Sequence, residues 1–312
     1  MRAFIFPGQG SQAVGMGKAL ADASPAARAV FQEVDEALGQ NLFRLMCDGP
    51  ESELTLTENA QPAIMANAIA TLRVLETEGG VKLSEKCDFV AGHSLGEYTA
   101  LCAAGALPLS VTAALLKLRG RAMQAAVPVG IGAMAALLGA DIEKAEALAA
   151  AAAEGETCTV ANDNDPSQVV ISGHKGAIER AIEQAKEHNI KRGILLPVSA
   201  PFHCPLMQPA ADEMKSALAT TTIHSPLVPL FANVTAAPVS DPQTIATQLV
   251  EQVTGRVRWR ESAIAMRDAG VTLFVEFGGK ILSPMVKRSA GEDVSTSSII
   301  SMDDIEALLK DI

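Results

Sequence analysis

The sequence predicts an α/β protein, a main core of parallel strands under helices with a small ferredoxin-like domain inserted into it. Three observations predict this. Hydrophobic residues make up 48% of the 312 residues and aromatics only 4%, so the interior is built from Ala, Val, Leu, Ile and Met, as suits parallel strands covered by helices. The apolar run 87–91 ends at Gly92 and a helical pattern opens at Gly96, which gives a strand, a tight turn and a helix. Between 128 and 197 the order is β-α-β-β-α-β, the arrangement that closes as a four-stranded sheet with two helices on one face.

In chain order, residues 2–6 read as the first strand, and the glycines at 8, 10, 15 and 17 form a loop leading to a helix at 25–38. A second helix is expected at about 61–77, and a third at about 110–126 follows the strand–turn–helix unit. In the insert, strands at 132–138, 157–161, 168–172 and 193–198 alternate with helices at 141–153 and 177–188; helix propensity explains the alanine run at 149–153. The chain returns to the core near Ser199, with a helix at about 210–219 and strands at 227–232 and 272–276. The expected division is a core of 1–127 and 198–312 around a small domain of 128–197.

The formal charge of −11, from 25 basic and 36 acidic residues, opposes attraction to a phosphate backbone or to anionic lipid, so neither nucleic acid nor a membrane is an expected partner. Residues 98–116 carry no charge, but Gly105, Pro108 and Ser110 divide the stretch. The five cysteines (Cys47, Cys87, Cys102, Cys158 and Cys204) are odd in number, scattered and never spaced CxxC, which points to neither a disulfide framework nor a zinc site. No metal is expected. The apolar run before Pro7 and Gly8 is too short for a signal-peptide core, so a cytoplasmic location is expected.

Residues 92–96 read GHSLG, the G-x-S-x-G elbow in which small residues let a strained turn push a serine hydroxyl clear of the sheet. Ser94 would be the nucleophile, with the helix N-terminus beside it favouring an oxyanion. Of the five histidines, His93 lies inside the elbow and is expected to turn away from the working side. His174 and His188 fall at edges of small-domain elements, which leaves His224 and His203. His203, in SAPFHCP between Pro201 and Pro205, is the candidate base, against a structural histidine. Arg119 has Leu115, Leu116, Ala122 and Met123 three and four positions away, so its guanidinium rises from an apolar helix face. A buried cation needs an anion: a substrate carboxylate gripped by two parallel hydrogen bonds, or an internal acid; otherwise the stem packs while the head reaches water.

Taken together, FPGQGSQ at 6–12, GHSLGEY at 92–98, LRGRAMQ at 118–124, VANDN at 160–164 with VVISG at 169–173, and PFHCPLM at 201–207 resemble the malonyl-CoA:acyl carrier protein transacylase family. The similarity spans nearly the whole chain and extends to the acyltransferase domains of fatty acid and polyketide synthases. It implies an α/β-hydrolase-like core with an inserted ferredoxin-like domain. Matched position by position, it implies Ser94 as nucleophile, His203 as base and Arg119 as the malonyl carboxylate's partner. The backbone N–H groups of Gln9 and Leu95 would form the oxyanion hole, and the main-chain carbonyl of Gln252 would orient the histidine. Gln61 and Asn162 fall where relatives line the pocket, and Phe202 resembles an aromatic that crowds out an α-methyl group. Gly279, in EFGGKIL, departs from a Gly-Pro-Gly-Lys pattern in a loop away from this set.

The resemblance implies transfer of malonyl from malonyl-CoA to the phosphopantetheine thiol of acyl carrier protein through malonyl-Ser94, supplying fatty acid biosynthesis. No permanently bound cofactor is expected, with the coenzyme A thioester as substrate, and a monomer is the expected form. A serine hydrolase shares the elbow, but its acid normally lies between serine and histidine, where Asp141, Asp163 and Asp165 all fall in the insert. A dinucleotide module would read Gly8 to Ala13 as G-x-G-x-x-A, yet its acid would be Glu33, within a predicted helix. Arg256, Arg258, Arg260, Lys280, Lys287 and Arg288 are candidates for docking an acidic carrier, against ordinary solvated charge.

Overall fold

The computed structural model of the chain describes every residue except Ser199, so the expected return to the core near Ser199 lies outside the described residues. Ten strands are described: β1 (Arg2–Phe6), β2 (Phe89–Gly92), β3 (Gly132–Leu138), β4 (Cys158–Asp165), β5 (Gln168–His174), β6 (Arg192–Leu195), β7 (Leu230–Ala232), β8 (Ala237–Val239), β9 (Leu273–Phe277) and β10 (Ser295–Ile299). They form a six-stranded sheet in the order β10-β9-β1-β2-β7-β8 and a four-stranded sheet in the order β4-β5-β3-β6. In the first, every pair is parallel except β7 with β8. The second is antiparallel throughout, with helices Ile142–Ala153 and Lys175–Gln184 at the two crossovers. The predicted fold class, a mainly parallel α/β core carrying a ferredoxin-like antiparallel sheet, is the one observed.

β1 shows why the core strands lack polar alternation. Phe4 and Phe6 join one buried apolar cluster while Ala3 and Ile5 join another, so successive side chains face two helical layers. The first long helix, Pro25–Leu38, starts and stops where local chemistry dictates. Ser24 accepts a hydrogen bond from the Ala27 N–H, Pro25 takes the first turn, and Gly39 ends it at φ 57.

Several elements differ from their expected limits. Helix Thr57–Thr77 begins four residues before 61 and carries Pro62 within it, a position where one helical hydrogen bond is forfeited. β4 runs to Asp165 rather than 161, because Asn162, Asp163, Asn164 and Asp165 are buried rather than exposed as their polarity suggests. β6 stops at Leu195, two residues before Pro197. β8 and β10 were not expected; β10 reads STSSI, with little apolar signal.

The small sheet meets the core along β4. Val257 N–H donates to the Ala161 carbonyl at 2.8 Å, and Asp163 N–H to the Val257 carbonyl at 2.9 Å. Two fully buried carboxylates reinforce the seam, Asp163 with Arg260 at 2.8 Å and Asp165 with Arg288 at 2.8 Å. A cleft lined by Met134 and Asn162 on one side and Ser94 and Arg119 on the other opens between these two parts. All five cysteines are free, and no helix among the described residues is long and apolar enough to cross a membrane.

Candidate active site

The elbow is built from backbone constraints. A Cβ on Gly92 would strike the Gly96 carbonyl, and one on Gly96 the Phe6 carbonyl, so only glycine permits the turn. Ser94 sits between them at φ 55, a strained conformation for a residue with a side chain. Asn233 holds the strain in place: its Oδ1 accepts the Ser94 N–H at 2.8 Å, and its Nδ2 donates to the Gly92 carbonyl at 2.7 Å.

His203 approaches from the segment that follows the small domain, itself at φ 56. Its Nε2 lies 2.7 Å from Ser94 Oγ, and its Nδ1 lies 2.8 Å from the main-chain carbonyl oxygen of Gln252. A carbonyl can only accept, so Nδ1 carries the proton and Nε2 is left to accept the serine hydroxyl proton. Burial, aided by the neighbouring Arg119 charge, pushes His203 down to about 3. The imidazole is therefore neutral and ready to act as a base.

Arg119, on helix Leu109–Ala125, is 1% exposed. Its Nη1 donates to Gln61 Oε1 at 2.8 Å, and its Nη2 donates to Gln252 Oε1 at 2.8 Å and to Ser94 Oγ at 3.2 Å. The guanidinium also lies 5.7 Å from the centroid of the Tyr98 ring. Every acceptor is neutral, and the buried Nε has no partner among the described residues. Burial lowers the arginine's pKa, with Tyr98 and Glu97 opposing the shift. Of the readings open to this residue, a direct ion pair is not found among the described residues. A cation desolvated this fully, with no carboxylate bonded to it, favours any anion brought beside it.

Gln9, Gln61, Ser94, Leu95, Arg119, Asn162, Phe202 and His203 all line one cleft of about 270 Å³. Gln252 stands behind it, fully buried. The backbone N–H groups of Gln9 and Leu95 make no hydrogen bond among the described residues, and Leu95 caps the helix that starts at Gly96. A more open groove of about 540 Å³, between helices Gln208–Ala219 and Pro242–Thr254, contains none of these residues.

Other candidates fall elsewhere. His93 lines the cleft instead of turning away, but its Nε2 is engaged by Asn164 Oδ1 at 2.8 Å. His224 is exposed and outside the cleft. The basic set is largely neutralised: Arg256 pairs with Glu146 and Glu261, Arg258 with Glu261, Arg260 with Asp163 and Arg288 with Asp165. Lys287 Nζ donates to the Val294 carbonyl, while Lys280 is exposed. Sequence reasoning missed Asn233 and Glu97. Asn233 follows β7 with no motif around it, and Glu97 resembles an ordinary acid in a helix first turn.

The acyl transferase domain family matches residues 3–300. The chain is 46% identical over 288 residues to the malonyl CoA-acyl carrier protein transacylase of Bacillus subtilis, covering 92% of this chain and 89% of that protein. The crystal structure of an acyl-carrier-protein-S-malonyltransferase from Bartonella henselae superposes with a TM-score of 0.96 at 51% identity, covering 99% of this chain and 98% of that one. A malonyl-transacylase in complex with its type II PKS acyl-carrier protein superposes with a TM-score of 0.95 at 37% identity, covering 100% of this chain and 99% of the other.

Proposed function

This chain belongs to the acyl transferase domain family, and we propose from that premise that it carries malonyl from malonyl-CoA to acyl carrier protein by way of Ser94, in fatty acid synthesis. The observation that carries the acyl preference is Arg119 Nη2 at 3.2 Å from Ser94 Oγ, a buried cation beside the nucleophile. A two-carboxyl acyl group attached at Ser94 brings its free carboxylate to that cation.

His203 Nε2 takes the Ser94 proton as Oγ attacks the thioester carbonyl, and the Gln9 and Leu95 N–H groups hold the oxyanion. The carbon–sulfur bond then breaks, and the proton on His203 passes to the departing coenzyme A thiolate. The carrier's phosphopantetheine thiol reverses these steps, giving its proton to His203 as its sulfur attacks malonyl-Ser94. Gln252 orients the base through a main-chain carbonyl, so the acid that a serine hydrolase would supply is not required. Gln61 and Asn162 line the acyl pocket, and Phe202 narrows it against an α-methyl group. The coenzyme A thioester is a substrate, and no resident cofactor takes part.

Residues 128–197 act as a small domain closing one side of the cleft, on a core of 1–127 and 198–312. The free cysteines and acidic charge fit a cytoplasmic enzyme working as a monomer. Intact-mass analysis after mixing with malonyl-CoA alone tests the function. One stable malonyl adduct, absent in Ser94→Ala and discharged by carrier protein, is expected; rapid hydrolysis of that adduct would make the protein a hydrolase.

A further inference from the structure

Helix Gly96–Ala103 buries Glu97 as completely as Arg119, each about 1% exposed. The helix dipole favours an acid in the first turn, but full burial strips its hydration, so the group calls for a partner. That partner is an amide rather than a cation. Gln252 Nε2 donates to the Glu97 carboxylate and to the Ser94 carbonyl at 2.9 Å, while its Oε1 accepts from Arg119 at 2.8 Å. This amide has one stable orientation, since Arg119 can only donate and the Ser94 carbonyl can only accept, and turning it over sets like against like at both ends.

We propose that Glu97 is a positioning residue of the acyl site: through Gln252 it aims the Arg119 guanidinium and thereby sets the preference for acyl groups that bear a carboxylate. The proposal rests on the reading above that Arg119 receives the malonyl carboxylate. A carboxylate bonded directly to Arg119 would compete with the substrate for the same N–H groups. Held one amide away, Glu97 acts through the Gln252 hydrogen bond and leaves the Arg119 Nε unfilled. Burial pushes Glu97 up to about 7, against the pull of Gln252, Asn233 and Arg119.

The test compares kcat/KM for malonyl-CoA and acetyl-CoA, with carrier as acceptor, in wild type, Glu97→Ala, Glu97→Gln and Gln252→Ala. Glu97→Ala is expected to lower the malonyl-to-acetyl ratio about tenfold, through the malonyl KM more than kcat. Glu97→Gln restores most of the ratio, because its amide oxygen still accepts the Gln252 N–H and only the weak 3.4 Å bond from Asn233 N–H is disturbed. Both donors are read on one preparation, so any loss of folded enzyme cancels. If Glu97→Ala does not fold, Gln252→Ala removes the same bridge from its other side and is expected to lower the ratio alike. An unchanged ratio in these variants overturns the proposal, as does a Glu97→Gln ratio as low as that of Glu97→Ala. A wild-type enzyme without malonyl preference overturns the functional reading beneath it, and the proposal with it.

Discussion

His203 Nδ1 rests 2.8 Å from the main-chain carbonyl oxygen of Gln252, a partner that neither titrates nor carries a full charge. A carboxylate in that place would favour the imidazolium and raise the histidine; here burial and Arg119 hold it down to about 3. A base with a lowered pKa stays neutral, and so competent, as pH falls through the ordinary histidine range. The pH profile of kcat/KM is therefore expected to show no His203 inflection near about 6.5. An acid limb there that persists in Glu97→Gln would contradict this assignment.

Folding stability responds to the same two buried groups with opposite signs. His203 is lowered from 6.5 to about 3, so between those values the unfolded chain binds the extra proton and stability is lost as pH falls. Glu97 is raised from 4.5 to about 7, so between those values the folded chain binds the extra proton and stability is lost as pH rises. Glu97→Gln removes the second effect alone. The unfolding free energy of Glu97→Gln relative to wild type is expected to move in the variant's favour from about pH 5 to 8, by on the order of 3 kcal/mol at most. A difference that stays level with pH would show that Glu97 titrates normally.

Arg119→Ala removes the buried cation but leaves the Ser94–His203 pair and the elbow's supports in place. Loss of a charge-assisted bidentate contact should cost the malonyl donor about 2 to 3 kcal/mol, a factor of tens to a hundred in kcat/KM. Acetyl-CoA, which has no free carboxylate, should lose far less, only what the 3.2 Å contact to Oγ contributes. Parallel assays with the two donors read the ratio, and an unchanged preference for malonyl would remove Arg119 from the carboxylate role.

Gly8 controls the position of the Gln9 N–H. A Cβ at Gly8 would sit 2.7 Å from the His93 carbonyl oxygen, and backbone packed against backbone cannot yield cheaply. Gly8→Ala should push the loop outward and withdraw one oxyanion donor, lowering kcat about 10²- to 10³-fold with little change in KM. Rapid-quench acylation kinetics measure the step directly; near-normal acylation would mean that Gln9 does not serve the oxyanion.

The parts of this site legible in the sequence were those with local grammar. The elbow advertises itself through Gly92, Ser94 and Gly96, because a strained turn tolerates few residue types, and Arg119 stands out against its apolar neighbours. Glu97 and Asn233 carry no such mark. Their roles come from contacts across more than 130 positions of chain, Asn233 to Ser94 and Gln252 to Glu97. β4 extends past its apolar residues for the same reason. The polar run Asn162 to Asp165 ends the apolar strand signal at 161, and only Arg260 and Arg288, distant in sequence, supply the counter-charges that let Asp163 and Asp165 be buried. β10 was missed because its place beside β9 at the sheet edge demands little apolar character.

Those counter-charges bear on where a carrier docks. Arg260 grips the fully buried Asp163 with both nitrogens of one fork edge, at 3.0 and 2.8 Å. Arg258 pairs with the partly exposed Glu261. Removing Arg260 leaves a buried carboxylate without its cation, which should cost about 2 to 4 kcal/mol even after allowing for the arginine's partial exposure. Losing the Arg258 pair should cost under about 1 kcal/mol. Arg260→Ala should therefore lower Tm well below Arg258→Ala, and part of the lost Tm should return in Arg260→Ala with Asp163→Asn, where no unpaired charge is buried. Lys280, exposed and on the loop after β9, is the better candidate in this set for meeting an acidic carrier. Lys280→Glu should raise the carrier KM in a salt-dependent way while leaving Tm and the malonyl-CoA KM alone. A carrier KM that responds to Arg258→Glu but not to Lys280→Glu would move the docking surface back to the seam.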